Sequence, residues 1–422
     1  TLDRSSAASD VYKRQHLRMM IMGAKPFIHT EVLSGKPVAK QEVEIVERKG
    51  LGHPDTLIDG VCESVSLALC DYYEKRFGKI LHHNVDKGLL VGGESRPKFG
   101  GGKVIKPIQI IVAGRAVSRY NFEGTKYEIP VEVIAKRAAK EYIKKTIRNL
   151  DVEEHVRLSF KIRNPSSDLT YLSEKGIAND TSIGVGFAPL TETEKIALGI
   201  ENFLNAPETK KAYPEIGEDI KVMAMRRRND LDVTVAMAMV DKYIPDKDHY
   251  INVVQEVKEK LLSRFSSANL NLSIKINSAD DYENNSFYLT VTGTSAESGD
   301  DGNTGRGNRV TGLITPMRMY SMEATAGKNP TIHTGKIYNA LAQLTAQKIF
   351  EKVGGIDEVY VRILSRIGSP LTEPTIASVA LRLQENTSYN NVKGEIENIV
   401  LEELSNVRNI TAVIRERRIP LF

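Results

Sequence analysis

Three short stretches gather the side chains that could do chemistry. The first, "ERKGLGHPDTLID" (47–59), sets His53 between Gly52 and Pro54, with Asp55 directly after. Proline is favoured at the first position of a helix, and an acid in the first turn complements the helix dipole. A helix start therefore accounts for Pro54 and Asp55 but does not require His53. The same helix terminus would offer free N–H groups to an anion, with Gly50 and Gly52 letting the backbone come close. Asp55 would repel that anion unless a cation lay between them. Magnesium, a hard ion that binds carboxylate and phosphate oxygens together, removes the conflict.

The second stretch, "ESGDDGNTGRGNRVTG" (297–312), places Asp300 and Asp301 before a glycine-rich turn holding Arg306 and Arg309. Carboxylates beside arginines suit a metal–polyphosphate site or a zwitterionic ligand. A plain polar turn or an RNA patch are the alternatives, and the lack of interleaved aromatics counts against RNA. The glycine and glutamate spacing of a calcium loop is not met counting from Asp301. The third stretch, "MEATAGKNPTIHTGK" (322–336), puts Lys328 after Ala-Gly, but Asn329 follows where a Walker loop needs Ser or Thr. With the arginines it suggests a polyphosphate cradle of another type. No Ser–His–Asp set, Cys–His pair or HExxH motif stands out.

The elements that position these stretches repeat. From Pro54, apolar residues at Leu57, Val61, Val65, Ala68 and Tyr72 recur every three or four positions and predict a helix with one buried face. A strand at 108–117 and a helix at 131–147 follow. The order returns as helix 192–204, strand 231–240 and helix 250–265, and again as helix 336–353, strand 357–367 and helix 392–407. The strands lie about 120–130 residues apart, far beyond solenoid periods. The expected fold is α/β (α+β): three similar α/β domains in a pseudo-threefold arrangement, discontinuous in sequence. The blocks are 19–150, 151–296 and 297–422, with polar connectors at 159–172, 176–189 and 298–312. Residues 1–18 show no periodicity and no signal-peptide core, and are expected to be a disordered upstream or non-native segment.

Bulk properties exclude several classes. The chain has 422 residues, 41% of them hydrophobic, which is too long for one ordinary domain. A net charge of +4 is no nucleic-acid footprint, and no apolar run is long enough to span a bilayer. Cys62 and Cys70 lie eight apart on one predicted helix, so roughly 12 Å separates them and they cannot bridge. Such cysteine usage fits a reducing, cytoplasmic setting.

Taken in order, "GLGHPDTLIDG", "KGLLVGGE", "ANDTSIGVGFAP", "GDDGNTGRGNR" and "ATAGKNPTIHTGKIYN" make the chain resemble the archaeal branch of the S-adenosylmethionine synthetase (methionine adenosyltransferase) family, from about Lys25 to Phe422. The resemblance implies transfer of adenosyl from ATP to the sulfur of L-methionine, with displacement of triphosphate and its hydrolysis to phosphate and pyrophosphate. It implies three α/β domains and a homodimer, or a dimer of dimers, with active sites at the interface. It implies magnesium and commonly potassium, and no nucleic-acid or membrane partner. A thioether carries no proton, so the first step needs an aligned sulfur and a stabilised leaving group rather than a base. By motif, His53 matches the histidine near the breaking bond, and Asp55 matches a magnesium ligand. Glu47 and Gly52 line the nucleotide site, Glu94 lies near the methionine amino group, and Asp180 is on the active-site loop. Asp301 and Arg306 match a pair on methionine or ribose and on the triphosphate; Lys328, with Arg309, serves the phosphates. His53, Lys328 and Arg306 are the expected catalytic residues. An archaeal Ser-x-Asp-Leu segment assigned to ATP gives Ser166 and Asp168, with Pro165 where glycine is expected. Ile332 and Thr334 stand where the bacterial branch has a lysine and an aspartate. One of Arg226, Arg227 and Arg228 is expected to replace another bacterial lysine.

Overall fold

The computed structural model describes residues 26–422; the expectation for residues 1–18 lies outside the described residues. In chain order the first part holds β1 (Ile28–Val32), β2 (Val43–Lys49), α1 (Pro54–Phe77), β3 (His83–Val91), β4 (Glu94–Arg96), β5 (Lys103–Lys106) and β6 (Ile108–Ala116). Then come β7 (Arg119–Phe122), β8 (Thr125–Glu128), α2 (Val131–Thr146), α3 (Val152–His155), β9 (Val156–Arg163), α4 (Ser167–Lys175) and β10 (Ile183–Ala188). The middle continues with α5 (Glu192–Leu204), α6 (Pro207–Ala212), β11 (Ile216–Arg227), β12 (Asp230–Val240), α7 (Lys247–Phe265), β13 (Asn271–Ile276) and β14 (Leu289–Thr290). The last part holds β15 (Gly302–Asn303), α8 (Thr334–Lys352), β16 (Ile356–Leu364), β17 (Ile376–Leu383), α9 (Tyr389–Ser405) and α10 (Ile410–Arg415).

Three principal sheets form, ordered β15-β3-β6-β9, β2-β11-β12-β13 and β10-β16-β17-β1. In that direction each sheet runs antiparallel, antiparallel, parallel. The threefold likeness expected from the helix–strand–helix order is thus present at the level of strand pairing. Each sheet carries helices on one face, around a core of its own. Leu57, Val61, Ile110 and Ile143 belong to the first core. Ile200, Val222, Val235 and Leu261 belong to the second, and Leu341, Ile349, Val361 and Ile396 to the third. Each fully buried side chain of this size contributes roughly 1.5–3 kcal/mol.

Strand membership does not follow the blocks 19–150, 151–296 and 297–422. The strand before each unit's first helix pairs with a neighbouring unit: β2 precedes α1 but joins β11, β10 precedes α5 but joins β16, and β15 precedes α8 but joins β3. The parallel fourth strand of the third sheet is β1, from the other end of the described chain. The third repeat is also shifted by one strand. The predicted strand at 357–367 is β16, the counterpart of β3 and β11, whereas β6 and β12 correspond to β17, whose "IASVALRL" is broken up by small residues.

Two expected connectors are partly regular structure. Segment 159–172 contains most of β9, whose inward Val156 and Phe160 alternate with polar residues, and the start of α4. Segment 176–189 contains β10, "IGVGFA". A Cβ on Gly184 would meet the Tyr338 backbone at 2.1 Å, and one on Gly186 the Gln343 nitrogen at 2.3 Å, so these glycines let α8 lie directly on the strand. They signal close packing rather than a turn.

Helix α1 departs from the one-face expectation too. Its apolar face meets the sheet, but Asp55, Asp59, Glu63 and Ser66 are buried as well. The three acids recur every four residues and form a polar stripe on one side of the helix.

Candidate functional site

That stripe organises two of the three sequence motifs. Asp55 Oδ1 accepts from the Asn303 N–H (2.9 Å), and Asp59 Oδ1 from the Gly305 N–H (2.9 Å). Glu63 Oε2 accepts from the Gly327 N–H (2.9 Å), and the Ser66 hydroxyl donates to the Lys328 carbonyl (3.1 Å). The acidic spacing after Gly-His-Pro-Asp was visible in the sequence, but the buried polar face it builds was not predicted.

At the start of α1, β2 delivers Lys49 and the chain crosses the 218–220 backbone. A Cβ on Gly50 would sit 2.4 Å from the Ile220 carbonyl oxygen, and one on Gly52 2.5 Å from the Asp219 nitrogen, so only glycine fits. His53 caps the helix, its Nδ1 accepting from the Asp55 N–H (3.2 Å), and it is buried. Burial, the largest cause, lowers its pKa, although the Asp219 charge opposes this. A neutral imidazole with Nδ1 accepting carries its proton on Nε2, which becomes the donor offered to a ligand. Asp55 Oδ2 accepts from the Lys49 ammonium (2.8 Å), which also donates to the Arg306 carbonyl (3.1 Å). The Ser295 hydroxyl lies 2.6 Å from Asp219 Oδ2 and 3.1 Å from Asp300 Oδ2. Asp301 Oδ1 accepts from the Gly92 N–H (2.8 Å), two residues before Glu94. Among the described residues the exposed Glu94 carboxylate meets only the Lys106 ammonium.

The arginines divide. Arg306 is exposed, and its guanidinium has no partner among the described residues. Arg309 turns inward, donating to the Gly305 and Gly307 carbonyls (2.9 Å to the latter), and so holds the turn. Arg226 does not supply the missing charge within one chain. It is buried, and its donors go to Glu44, Thr193 and three backbone carbonyls. Lys49, not singled out in the sequence, is the cation at this place.

A second group sits further along α1. Lys328 is buried, with its ammonium 3.0 Å from Asp86 Oδ2 and 2.7 Å from Glu323 Oε1. Burial works against that charge, but the two carboxylates outweigh it and raise the pKa above the ordinary lysine value. Lys336 is fully buried on Glu63 (2.8 and 2.6 Å) and also donates to the Lys328 carbonyl (2.7 Å). His333 caps α8 as His53 caps α1, its Nδ1 accepting from the Gly335 N–H (3.2 Å). Its Nε2 lies 3.8 Å from the half-exposed Asp180 carboxylate. Burial holds the His333 pKa well below the ordinary value.

The structure thus brings Glu47, His53, Asp55, Asp301 and Arg306 to one region, and Lys328 and Asp180 to another. Glu47 pairs with Lys221 (3.2 Å) on the same strand face as Lys49. Asp55 and Glu63 are eight residues apart on α1, so the two regions lie roughly 12 Å apart along it. Ser166 caps α4, a helix with no buried residue that carries Asp168 exposed; neither makes a side-chain contact to the two groups among the described residues. No cluster of three metal-type side chains occurs among the described residues. Asp55 with phosphate oxygens is nevertheless a donor set that fits magnesium, which commonly takes one or two carboxylates and completes its shell with substrate oxygens and water.

A helix terminus with free N–H groups, nearby cations and carboxylates and, among the described residues, no nucleophile–base set fit a three-unit α/β enzyme that handles phosphates. Residues 27–418 match the S-adenosylmethionine synthetase (AdoMet synthetase) family, and the chain belongs to it. It is 47% identical over 402 residues to the S-adenosylmethionine synthase of Pyrobaculum neutrophilum, covering 94% of this chain and all of that protein. It is 48% identical over 404 residues to that of Pyrococcus furiosus, covering 94% and 99%. Among solved structures, "an Unusual S-adenosylmethionine synthetase from Campylobacter jejuni" shares the fold with a TM-score of 0.57 at 14% identity, over 88% of this chain and 94% of that one.

Proposed function

We infer that this chain is a methionine adenosyltransferase that makes S-adenosylmethionine from ATP and L-methionine and then hydrolyses the displaced triphosphate. The single observation that carries the reading is the convergence of the His53 cap, the Lys49–Asp55 pair and the Asp300–Arg306 turn at one helix terminus. The methionine sulfur attacks C5′ of ATP, the C5′–O bond breaks, and the triphosphate leaves with the electron pair. His53 Nε2–H, the α1 N–H groups, Lys49 and Arg306 face the charge that grows on the leaving oxygens. Magnesium held between Asp55 and phosphate oxygens would offset that charge further; potassium is a second expected ion. Glu94 and Asp301 would receive the methionine ammonium, and Glu47 with Gly52 would line the nucleotide.

The second group, Lys328 and Asp180, is proposed to serve the site of a partner subunit in a homodimer. Each sheet leaves one strand face partly uncovered, with Ile45, Leu89 and Ile183 exposed, which is the kind of surface a second copy covers. Arg309 would act on the phosphates through the turn it holds, and Ser166 and Asp168 through the ATP segment they resemble. The three units are proposed to correspond to residues 19–150, 151–296 and 297–422 with strands exchanged between them. No described helix is long and apolar enough to cross a membrane, and the proposed location is the cytoplasm. The test is direct: purified protein with ATP, methionine, magnesium and potassium should yield S-adenosylmethionine, phosphate and pyrophosphate in equal amounts. Phosphate release that ignores methionine, with no adenosyl product, refutes the reading.

A further inference from the structure

A cavity of about 710 Å³ lies between α1, α2, α6 and the C-terminal residues 414–422. It uses a third face of α1, formed by Gly60, Ser64 and Leu67, beside the acidic stripe. It therefore opens on the helix-covered side of the β15-β3-β6-β9 sheet and not on the open strand face. Its size is that of small-molecule sites. Its walls are largely apolar, with Leu67, Ile414, Ile419 and Leu421 among them.

The charges around it do not balance. The two acids on its lining are already paired: Glu63 with Lys336 at 2.6 Å, and Glu218 with Arg148. The buried Lys210 ammonium donates to the Ile216 and Gly217 carbonyls (3.3 and 2.5 Å). Lys145, Lys211 and Arg417 are exposed at the rim, and no ion pair engages them among the described residues. An apolar chamber ringed by three unpaired cations is complementary to an anion with an apolar body.

We propose that this cavity is a second ligand site, separate from the catalytic one, for a small organic anion with an apolar body. The apolar body lies against Leu67 and Ile419, and the carboxylate, phosphate or sulfonate meets Lys145, Lys211 and Arg417. The site borders the catalytic region through Leu51, which precedes Gly52, and through Glu63, which also fixes the Gly327 N–H and Lys336, so an occupant presses on the residue that shapes the Lys328 loop.

The probe is 8-anilinonaphthalene-1-sulfonate, titrated into the full-length protein by fluorescence. Saturable binding with one site per chain is expected. Ser64→Trp, which fills the chamber, should abolish it, and Lys145→Glu with Lys211→Glu should weaken it at least tenfold. His53→Ala should bind the probe as wild type does, and ATP with methionine should not displace it. If Ser64→Trp disturbs the fold, seen as a lowered melting temperature, the two charge reversals decide alone. Undiminished binding in those variants, stoichiometric displacement by ATP, or no saturable binding overturns the proposal. None of these readouts depends on adenosyl transfer, so the site and the catalytic reading fail separately.

Discussion

Lys336→Met isolates the buried ion pair behind the Lys328 loop. Lys336 has no exposed surface, and its ammonium touches both Glu63 oxygens and the Lys328 carbonyl. Methionine keeps the unbranched apolar stem to Cε, one atom short of the ammonium, but leaves the Glu63 carboxylate buried, with the Gly327 N–H as its remaining hydrogen bond. Removing one partner of a buried pair costs about 3–5 kcal/mol, because the other charge stays behind uncompensated. At roughly 2.1 cal/mol/K of unfolding entropy per residue, a chain of 422 residues has about 0.9 kcal/mol/K. If it melts as one unit, the loss lowers Tm by about 3–6 °C. Calorimetric or circular-dichroism melts measure this, with ATP kinetics in parallel, since the loop carrying Lys328 loses its anchor and KM for ATP should rise. Adding Glu63→Leu should restore most of the stability, because the stranded charge is then gone. A melting temperature within about 1 °C of wild type for Lys336→Met alone, or a double variant no better than the single, refutes the reasoning.

Asp59 gives a pH signature: burial, its largest influence, pushes its pKa up to about 7 from 3.8. A carboxyl raised in the fold keeps its proton while the unfolded chain loses it, so stability falls as pH rises between about 4 and 7, by up to ~4 kcal/mol. Asp59→Asn should therefore melt higher than wild type at pH 7.5, with the difference vanishing near pH 4; a pH-independent difference counts against this. His53→Ala should lower kcat for adenosyl transfer by ~10²–10³-fold, the usual loss for one donor to a developing anion, while Tm falls by only about 1–2 °C for the lost helix cap. Asp55→Asn should raise the magnesium concentration needed for half-maximal activity, and an unaltered requirement would remove Asp55 from the ligand set.

What the sequence made legible was whatever local rules govern. Pro54 and Asp55 mark the start of α1 because capping is a matter of a few adjacent residues. Its apolar face was legible because periodicity shows burial against a sheet. Its acidic stripe was not, because those residues are buried by loops some 250 residues away in sequence. The same limit explains Lys49 and Lys336. Each is an ordinary lysine until tertiary structure supplies Asp55 to one and Glu63 to the other. Arg226 looked free beside two other arginines, yet Glu44, 182 residues earlier, holds it. The glycines of β10 imitate a loop because their reason, the backbone of α8, lies elsewhere in the chain.

The exchanged strands have a consequence for how the protein is made. Ile28 of β1 pairs with Ala377 of β17, and β2 waits for β11. The first sheet lacks its edge until Gly302 arrives opposite Leu90. On a ribosome β1, the earliest of the described strands, stays unpaired until β17 has emerged. Newly made β1 and β2 are bare strand edges for that time, open to pairing with a neighbouring nascent copy. Synthesis of this enzyme is therefore committed late, when the last sheet closes on β1, the first of the described strands to be made.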